Sequence, residues 1–251
     1  MITKKELQGF AKNLGFNLGQ AEKTYLQIIT LHAISKLMPE KLVFKGGTAL
    51  MICHSLDRFS EDLDFTAKTD SVEEILTEIK AYLSSQNIFV EEKFLRKTNI
   101  SRKYLLRYQG PLYDGTSQTT SKIELDISLR EKILKEPNTT RIIHQYPDTP
   151  TFYLQTMSLE EVFAEKIRAI ITRNKARDLF DADFLISKKV SVDIELINQK
   201  LSYYKKTFSL KLLEESIDNK SDVWKPELNN LVKIMPDFIA VKNNIMNYFI
   251  K

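Results

Sequence analysis

Two short acidic stretches hold the residues best suited to chemistry. RFSEDLDF, Arg58 to Phe65, sets Glu61, Asp62 and Asp64 among Phe59, Leu63 and Phe65. SKIELDIS, residues 121–128, sets Glu124 and Asp126 among Ile123, Leu125 and Ile127. In a strand, residues i and i+2 point to the same face. Read as strands, the first stretch aims Ser60, Asp62 and Asp64 one way and Leu63 and Phe65 the other. The second aims Glu124 and Asp126 together. Glu61 falls on the apolar side of the register and reads as a solvated residue. If the two strands are neighbours, three or four carboxylates converge, and such crowding needs a counterion. Mg²⁺ prefers hard oxygen ligands and usually rests on one or two carboxylates plus substrate phosphates. Two such ions can stabilise both the attacking and the leaving oxygen of an in-line displacement. Apart from each other, the same patterns describe exposed strands with solvated acids.

A second feature lies upstream. KLVF (41–44) reads as a short apolar strand, and it runs through Lys45 into Gly46-Gly47-Thr48 and a helical ALMICHSL. Two glycines let backbone amides come close to a ligand, and helix N-terminal amides bind anions. A plain tight turn is the simpler reading of this stretch alone. Followed by an acidic strand, it implies a phosphate cradle facing a metal site. Thr48 either contacts a phosphate or caps the helix.

Two charged residues stand out further on. On a helix over 158–173, Val162, Phe163, Ile167 and Ile170 form the apolar face, and Lys166 falls within it. A lysine there either snorkels along the stripe or borders a cleft and meets a phosphate or carboxylate. RDLFDADFL then offers Asp178, with Asp181 beside it at i+3. Acids at a helix N-terminus are also favoured by the dipole. KTNISRKYLLRY sets Lys97, Arg102, Lys103 and Arg107 near Tyr104 and Tyr108. That mixture can track a nucleic-acid backbone and stack bases, or guard a solvated edge strand. His32, His54 and His144 show no ligand spacing, and Cys53 reads as a small core residue.

These residues need elements to hold them. Residues 3–37 look helical, ended by Pro39. SVEEILTEIKAYLSSQN (71–87) is amphipathic, with Ile75, Ile79 and Leu83 as its stripe. IFVEEKF (88–94), SRKYLLRYQG (101–110) and SKIELDIS read as strands. After the Pro-containing stretch 137–150 the texture turns helical: 158–173 with a capping box from Ser158 to Glu161, a helix from Ala176, and segments at 193–217 and 227–250. The fold expected is α+β: a mixed sheet with flanking helices over 1–155, then a helical domain over 156–251 that completes the active-site cleft.

Composition bounds the rest. The 251 residues carry a net charge of +4, with 21 basic and 19 acidic residues before position 155 and 16 against 14 after it. An electrostatic nucleic-acid binder usually shows a stronger bias, so the balance permits an RNA partner without demanding one. No apolar run reaches the ~18 residues of a membrane span. The N-terminus lacks a signal-peptide layout, and one cysteine suits a reducing compartment. A cytoplasmic protein with no membrane partner is expected.

Strand–Gly–Gly–Thr, a D-x-D strand after a short helix, and a third acid on another strand resemble the polymerase-beta type of nucleotidyltransferase fold. More narrowly, KGGTAL, RFSEDLDF, KIELDIS, EKIRAI and RDLFDADFL together resemble the AbiEii/AbiGii toxin nucleotidyltransferases, the group to which the MenT-type toxins belong. The blocks run in order from about residue 40 to 186. The resemblance implies a Mg²⁺-dependent transfer of NMP from an NTP to an acceptor hydroxyl, with two metal ions. Asp62, Asp64 and Asp126 would bind metal, and Asp126 would also act on the acceptor. Lys45, Gly46, Gly47, Thr48 and Ser60 would hold the triphosphate. Lys166 would bind triphosphate, and Asp178 would position substrates or act as a base, with Arg177 as a second phosphate contact. The resemblance also implies a toxin–antitoxin or phage-defence role, the 3′ end of tRNA as acceptor, and an AbiEi-like antitoxin. The alternatives are a protein or small-molecule (antibiotic) acceptor, and an inactive nucleotide- or RNA-binding module, against which the intact acids speak.

Overall fold

The computed structural model describes residues 1–69 and 73–250. The chain forms two compact units. The first holds Met1–Cys53, Glu61–Lys132 and Pro137–Thr156; the second holds His54–Ser60, Ile133–Glu136 and the chain from Met157 onward.

In the first unit, helices α1 (Lys4–Leu14) and α2 (Leu18–Leu37) lead into strand β1 (Leu42–Lys45) and helix α3 (Gly46–His54). Strand β2 (Leu63–Ala67) and helix α4 (Glu73–Ser85) follow, then β3 (Val90–Lys97), β4 (Ser101–Tyr108), β5 (Ser121–Ser128), β6 (Asn138–Ile142) and β7 (Phe152–Thr156). The strands make one sheet in the order β3-β4-β5-β2-β1-β7-β6. The β2–β5 and β1–β7 pairs are parallel and the others antiparallel. Alternation does its work here. Leu63, Phe65, Leu125 and Ile127 are fully buried, while Asp64 and Asp126 on the other face are half-exposed. Phe44 and Phe65 pack with ring centroids 5.2 Å apart. Almost all of α2 from Ala21 to Ile34 is buried, as expected of a helix apolar on most sides.

Several expectations need correcting. The helical stretch 3–37 divides into two helices, because Gly15 takes a left-handed conformation (φ 68°) that ends α1, and Asn17 starts α2 in a capping box with Gln20. RFSEDLDF is not one strand: β2 begins only at Leu63. Phe59 instead donates its amide to the Leu231 carbonyl in the second unit. The Pro-containing stretch 137–150 and the residues just after it, read without strands, supply β6 and β7; Pro137 stands just before β6, and Pro147 and Pro150 lie in the connection. The amphipathic helix is described from Glu73, and Ser71 and Val72 lie outside the described residues.

The second unit is helical: α5 (Leu159–Thr172), α6 (Ala176–Ser187), α7 (Ile194–Ser202), α8 (Leu210–Asp218), α9 (Ser221–Leu228) and α10 (Phe238–Ile250). The long segments expected at 193–217 and 227–250 are therefore shorter helices, with Lys205 at φ 54° in the first break. Only half of the expected capping box forms on α5. The Ser158 hydroxyl accepts from the Glu161 amide, but the Glu161 carboxylate accepts from the amides of Leu134 and Lys135 and from Lys200 Nζ at 2.6 Å. The Lys200 and Glu161 side chains are both 0% exposed. Among the described residues no helix is long and apolar enough to cross a membrane.

Breaking a buried pair by removing one partner strands the other charge and costs about 3–5 kcal/mol, whereas apolar replacement of both is far milder. Glu161→Ala is therefore expected to lower stability by at least that amount in urea unfolding, since the Leu134 and Lys135 amides lose their acceptor as well.

Candidate active site

Register places the charged residues. Lys45 ends β1 opposite Asp64 on β2. Asp64 pairs in parallel register with Asp126 on β5. Asp126 lies opposite Lys103 on β4. Residues in register on adjacent strands share a face about 4.7–4.9 Å apart, so a row runs lysine, aspartate, aspartate, lysine across one side of the sheet. Asp62 sits just ahead of β2. Its charge reaches the same row: burial pulls the Lys103 ammonium down, but Glu124 at 2.5 Å, Asp62 and Asp126 raise it above the usual lysine value.

Burial first, and then the Asp64 carboxylate, push the Asp126 carboxyl above its ordinary range, while Lys103, Arg96 and Lys45 pull the other way. The two carboxylates therefore stand in register with a lysine on either side.

The turn from β1 into α3 fits against this pair. Gly46 has φ 76°, and a Cβ there would lie 2.3 Å from Asp64 Oδ2. Only glycine occupies the position without strain or displacement of the carboxylate. Gly47 and Thr48 are buried. The Thr48 hydroxyl donates to the Asp62 carbonyl, so the threonine ties the start of α3 to the acidic stretch. Lys45 is buried, with Nζ 3.8 Å from Glu131.

The donor set suits Mg²⁺: hard carboxylate oxygens in register on neighbouring strands, and space at Asp64 kept open by Gly46. Among the described residues, no group of three or more His, Cys, Asp or Glu side chains forms a ready cage. Substrate phosphates would complete the coordination.

The remaining sequence-derived residues lie in the helical unit. Lys166 on α5 is buried and meets carboxylates, 3.2 Å from Asp178 and 2.6 Å from Asp181. Asp178 also accepts from Arg173 Nε at 2.7 Å and Nη2 at 2.8 Å. Burial opposes its ionisation, but Lys166 and Arg173 prevail and hold it well below the usual carboxylate range. The same carboxylate fixes the position of Lys166. Asp181 accepts from Arg58 Nε at 2.6 Å and Nη2 at 2.7 Å. Arg58, Arg173 and Asp181 are thus part of a cluster that sequence reasoning built from Lys166 and Asp178 alone. Arg173 was within reach, five residues before Asp178. Arg58, 123 residues from Asp181, gave no local signal. Ser60 is half-buried in this unit. Arg177 lies 3.7 Å from Glu227.

Of the two readings of 97–108, the structure speaks against base stacking by its tyrosines. Tyr104 and Tyr108 are buried, and the Tyr108 hydroxyl shares a hydrogen bond with Thr30. Neither ring is open to a base.

Sheet and turn together define a nucleotidyltransferase fold. The chain is similar to MenT4, the nucleotidyltransferase toxin Rv2826c of Mycobacterium tuberculosis H37Rv, with TM-score 0.71 and 19% identity over 99% of this chain and 89% of that one. It is also similar to JHP933 of Helicobacter pylori, with TM-score 0.62 and 20% identity over 92% and 89% of the two chains. At these identities the likeness carries the fold alone. A comparison with curated proteins finds no match. The family model of the nucleotidyl transferase AbiEii toxin, type IV toxin–antitoxin system, matches residues 33–244. The chain belongs to this family and is a nucleotidyltransferase. The match runs well past residue 186, where the sequence blocks stop.

Two outcomes are expected at this site. A group whose pKa is raised by folding costs stability once ionised. Asp126→Asn should therefore raise the melting temperature at pH 7, and the gain should vanish in acid where both forms are neutral. Gly46→Ala should lower stability by about 1–2 kcal/mol from the left-handed backbone alone, and should also displace Asp64. Its transfer activity is expected to fall further than its melting temperature explains.

Proposed function

We propose that this chain transfers NMP from an NTP to the 3′-terminal hydroxyl of a tRNA, as the toxin of a cytoplasmic toxin–antitoxin or phage-defence pair with an AbiEi-like antitoxin. Family membership implies an NTP substrate and an antitoxin partner. The observation that carries the chemical reading is the Asp64–Asp126 pair, in parallel register on neighbouring strands beside the Gly46 turn.

Asp62, Asp64 and Asp126 would hold Mg²⁺, which when bound supplies Lewis-acid stabilisation of phosphoryl oxygens. The amides of Gly46 and Gly47 at the start of α3, with Lys45, receive the triphosphate. Asp126 orients the acceptor hydroxyl and takes its proton. The hydroxyl oxygen forms a bond to the α-phosphorus, the α–β bridging bond breaks, and pyrophosphate leaves with the electron pair. Within the helical unit, Lys166 is the lysine assigned to phosphate, and Asp178 and Asp181 hold it in orientation.

The test is transfer of α-labelled NTP, with Mg²⁺, to purified tRNA and to whole lysate. Label on tRNA that falls at least 10²-fold in Asp126→Asn, the range of a lost general base, and that disappears on chelation is the expected result. Label on a protein or small molecule would move the acceptor and leave the chemistry. No transfer and no metal-dependent NTP binding would overturn the reading.

A further inference from the structure

The row of charges at the acidic pair does not stop at Lys103. On edge strand β3, Arg96 lies opposite Lys103, and it gets there through an irregularity. Phe94 pairs with Tyr104 and Arg96 with Lys103, so Leu95 is an extra residue without a partner across the ladder. Such a bulge shifts strand phase by one residue. Regular alternation would put Leu95 on the face of Asp126 and turn Arg96 to the other side. The bulge leaves Leu95 40% exposed and lines Arg96 up with Lys103, Asp126 and Asp64. Arg96 is exposed, and its charge acts on the Asp126 carboxyl.

The same face of the outer three strands carries Lys93, Arg107 and Lys122, by register with Leu105 and with each other. Glu91 and Glu124 are the acids among them besides Asp126. The aromatic residues of the two hairpin strands, Phe94, Tyr104 and Tyr108, lie on the opposite face, where Phe94 and Tyr104 pair. The surface beside the carboxylates is therefore basic and lacks stacking platforms, which suits a phosphate backbone and not exposed bases.

We propose that Arg96 and Lys103 bind the phosphodiester backbone of a single-stranded nucleic-acid acceptor, leading its terminal hydroxyl to Asp126. This assignment rests on the nucleotidyl-transfer reading above. It divides the row between two anions: the triphosphate at the Lys45 and Gly46 end, the acceptor strand at the Lys103 and Arg96 end. Lys103 exchanges its Glu124 partner for phosphate when the strand arrives. Contacts to phosphate position without specifying sequence, so the hairpin contributes affinity and direction and leaves base choice to other groups.

The test uses the full-length protein and a fluorescent single-stranded oligoribonucleotide of about 12 nucleotides, within the site sizes of such binders. Wild type is compared with Arg96→Gln/Lys103→Gln and with the charge-keeping Arg96→Lys/Lys103→Arg. Both side chains lie outside the core, so melting temperatures serve as the folding control. For two lost contacts at ~0.7 each, the slope of log affinity against log salt should become shallower by about 1.4 units, with affinity down roughly tenfold. The charge-keeping variant should stay near wild type. In transfer assays the acceptor KM should rise while the NTP KM holds. Equal RNA binding by wild type and the glutamine variant, or a loss that falls on the NTP KM instead, would overturn the assignment. If wild type transfers nothing to RNA yet the salt slope still drops, the transfer reading fails and the backbone contact stands.

Discussion

Two carboxylates side by side on neighbouring strands are the constraint around which the rest is arranged. Like charges at strand spacing repel, and parallel register between β2 and β5 leaves Asp64 and Asp126 nowhere to go. The fold bears this because their alternating neighbours, Leu63, Phe65, Leu125 and Ile127, are fully buried on the other face. Burial of each such side chain contributes about 1.5–3 kcal/mol, enough to outweigh a local repulsion between half-exposed groups. The core thus holds in place a charge arrangement that would otherwise relax by slipping register, and a slip would turn every apolar residue outward. Cations at both ends of the row moderate the field without cancelling it.

The helical unit handles charge in the opposite way. There Arg58, Lys166 and Arg173 meet Asp178 and Asp181 in close pairs, both aspartates fully buried. Bidentate geometry at Arg58 and Arg173 supplies direction as well as energy. One unit sets like charges side by side on a sheet face, and the other pairs opposite charges in a fixed, buried network.

Much of this was legible in order along the chain. SKIELDIS matches β5 to the residue, because strict alternation leaves little freedom, and α6 starts at Ala176 as its pattern requires. The Gly46–Gly47 turn and the Asp64–Asp126 pairing follow from strand, glycine and alternation signals read together. What escaped depends on distance or on a single residue. RFSEDLDF alternates as a strand over its whole length, yet tertiary contacts to Leu231 and Asp181 take its first residues elsewhere. Glu161 had the spacing of a capping box but spends its carboxylate on Lys200 and two loop amides. β6 and β7 were hidden because prolines flank them and β6, NTTRI, is a mostly polar strand without an apolar signal.

The unpaired Leu95 shows how a sheet can be edited without altering its composition. A strand is a two-state counter: each residue added flips the parity of everything beyond it. Inserting one residue at an edge reassigns charge from one side to the other while the buried strands keep their count. An edge hairpin is the cheapest place for such a change, since one neighbour alone must tolerate it. Chains sharing this core can therefore present different electrostatic faces beside an identical pair of carboxylates, separated by a single inserted or deleted codon.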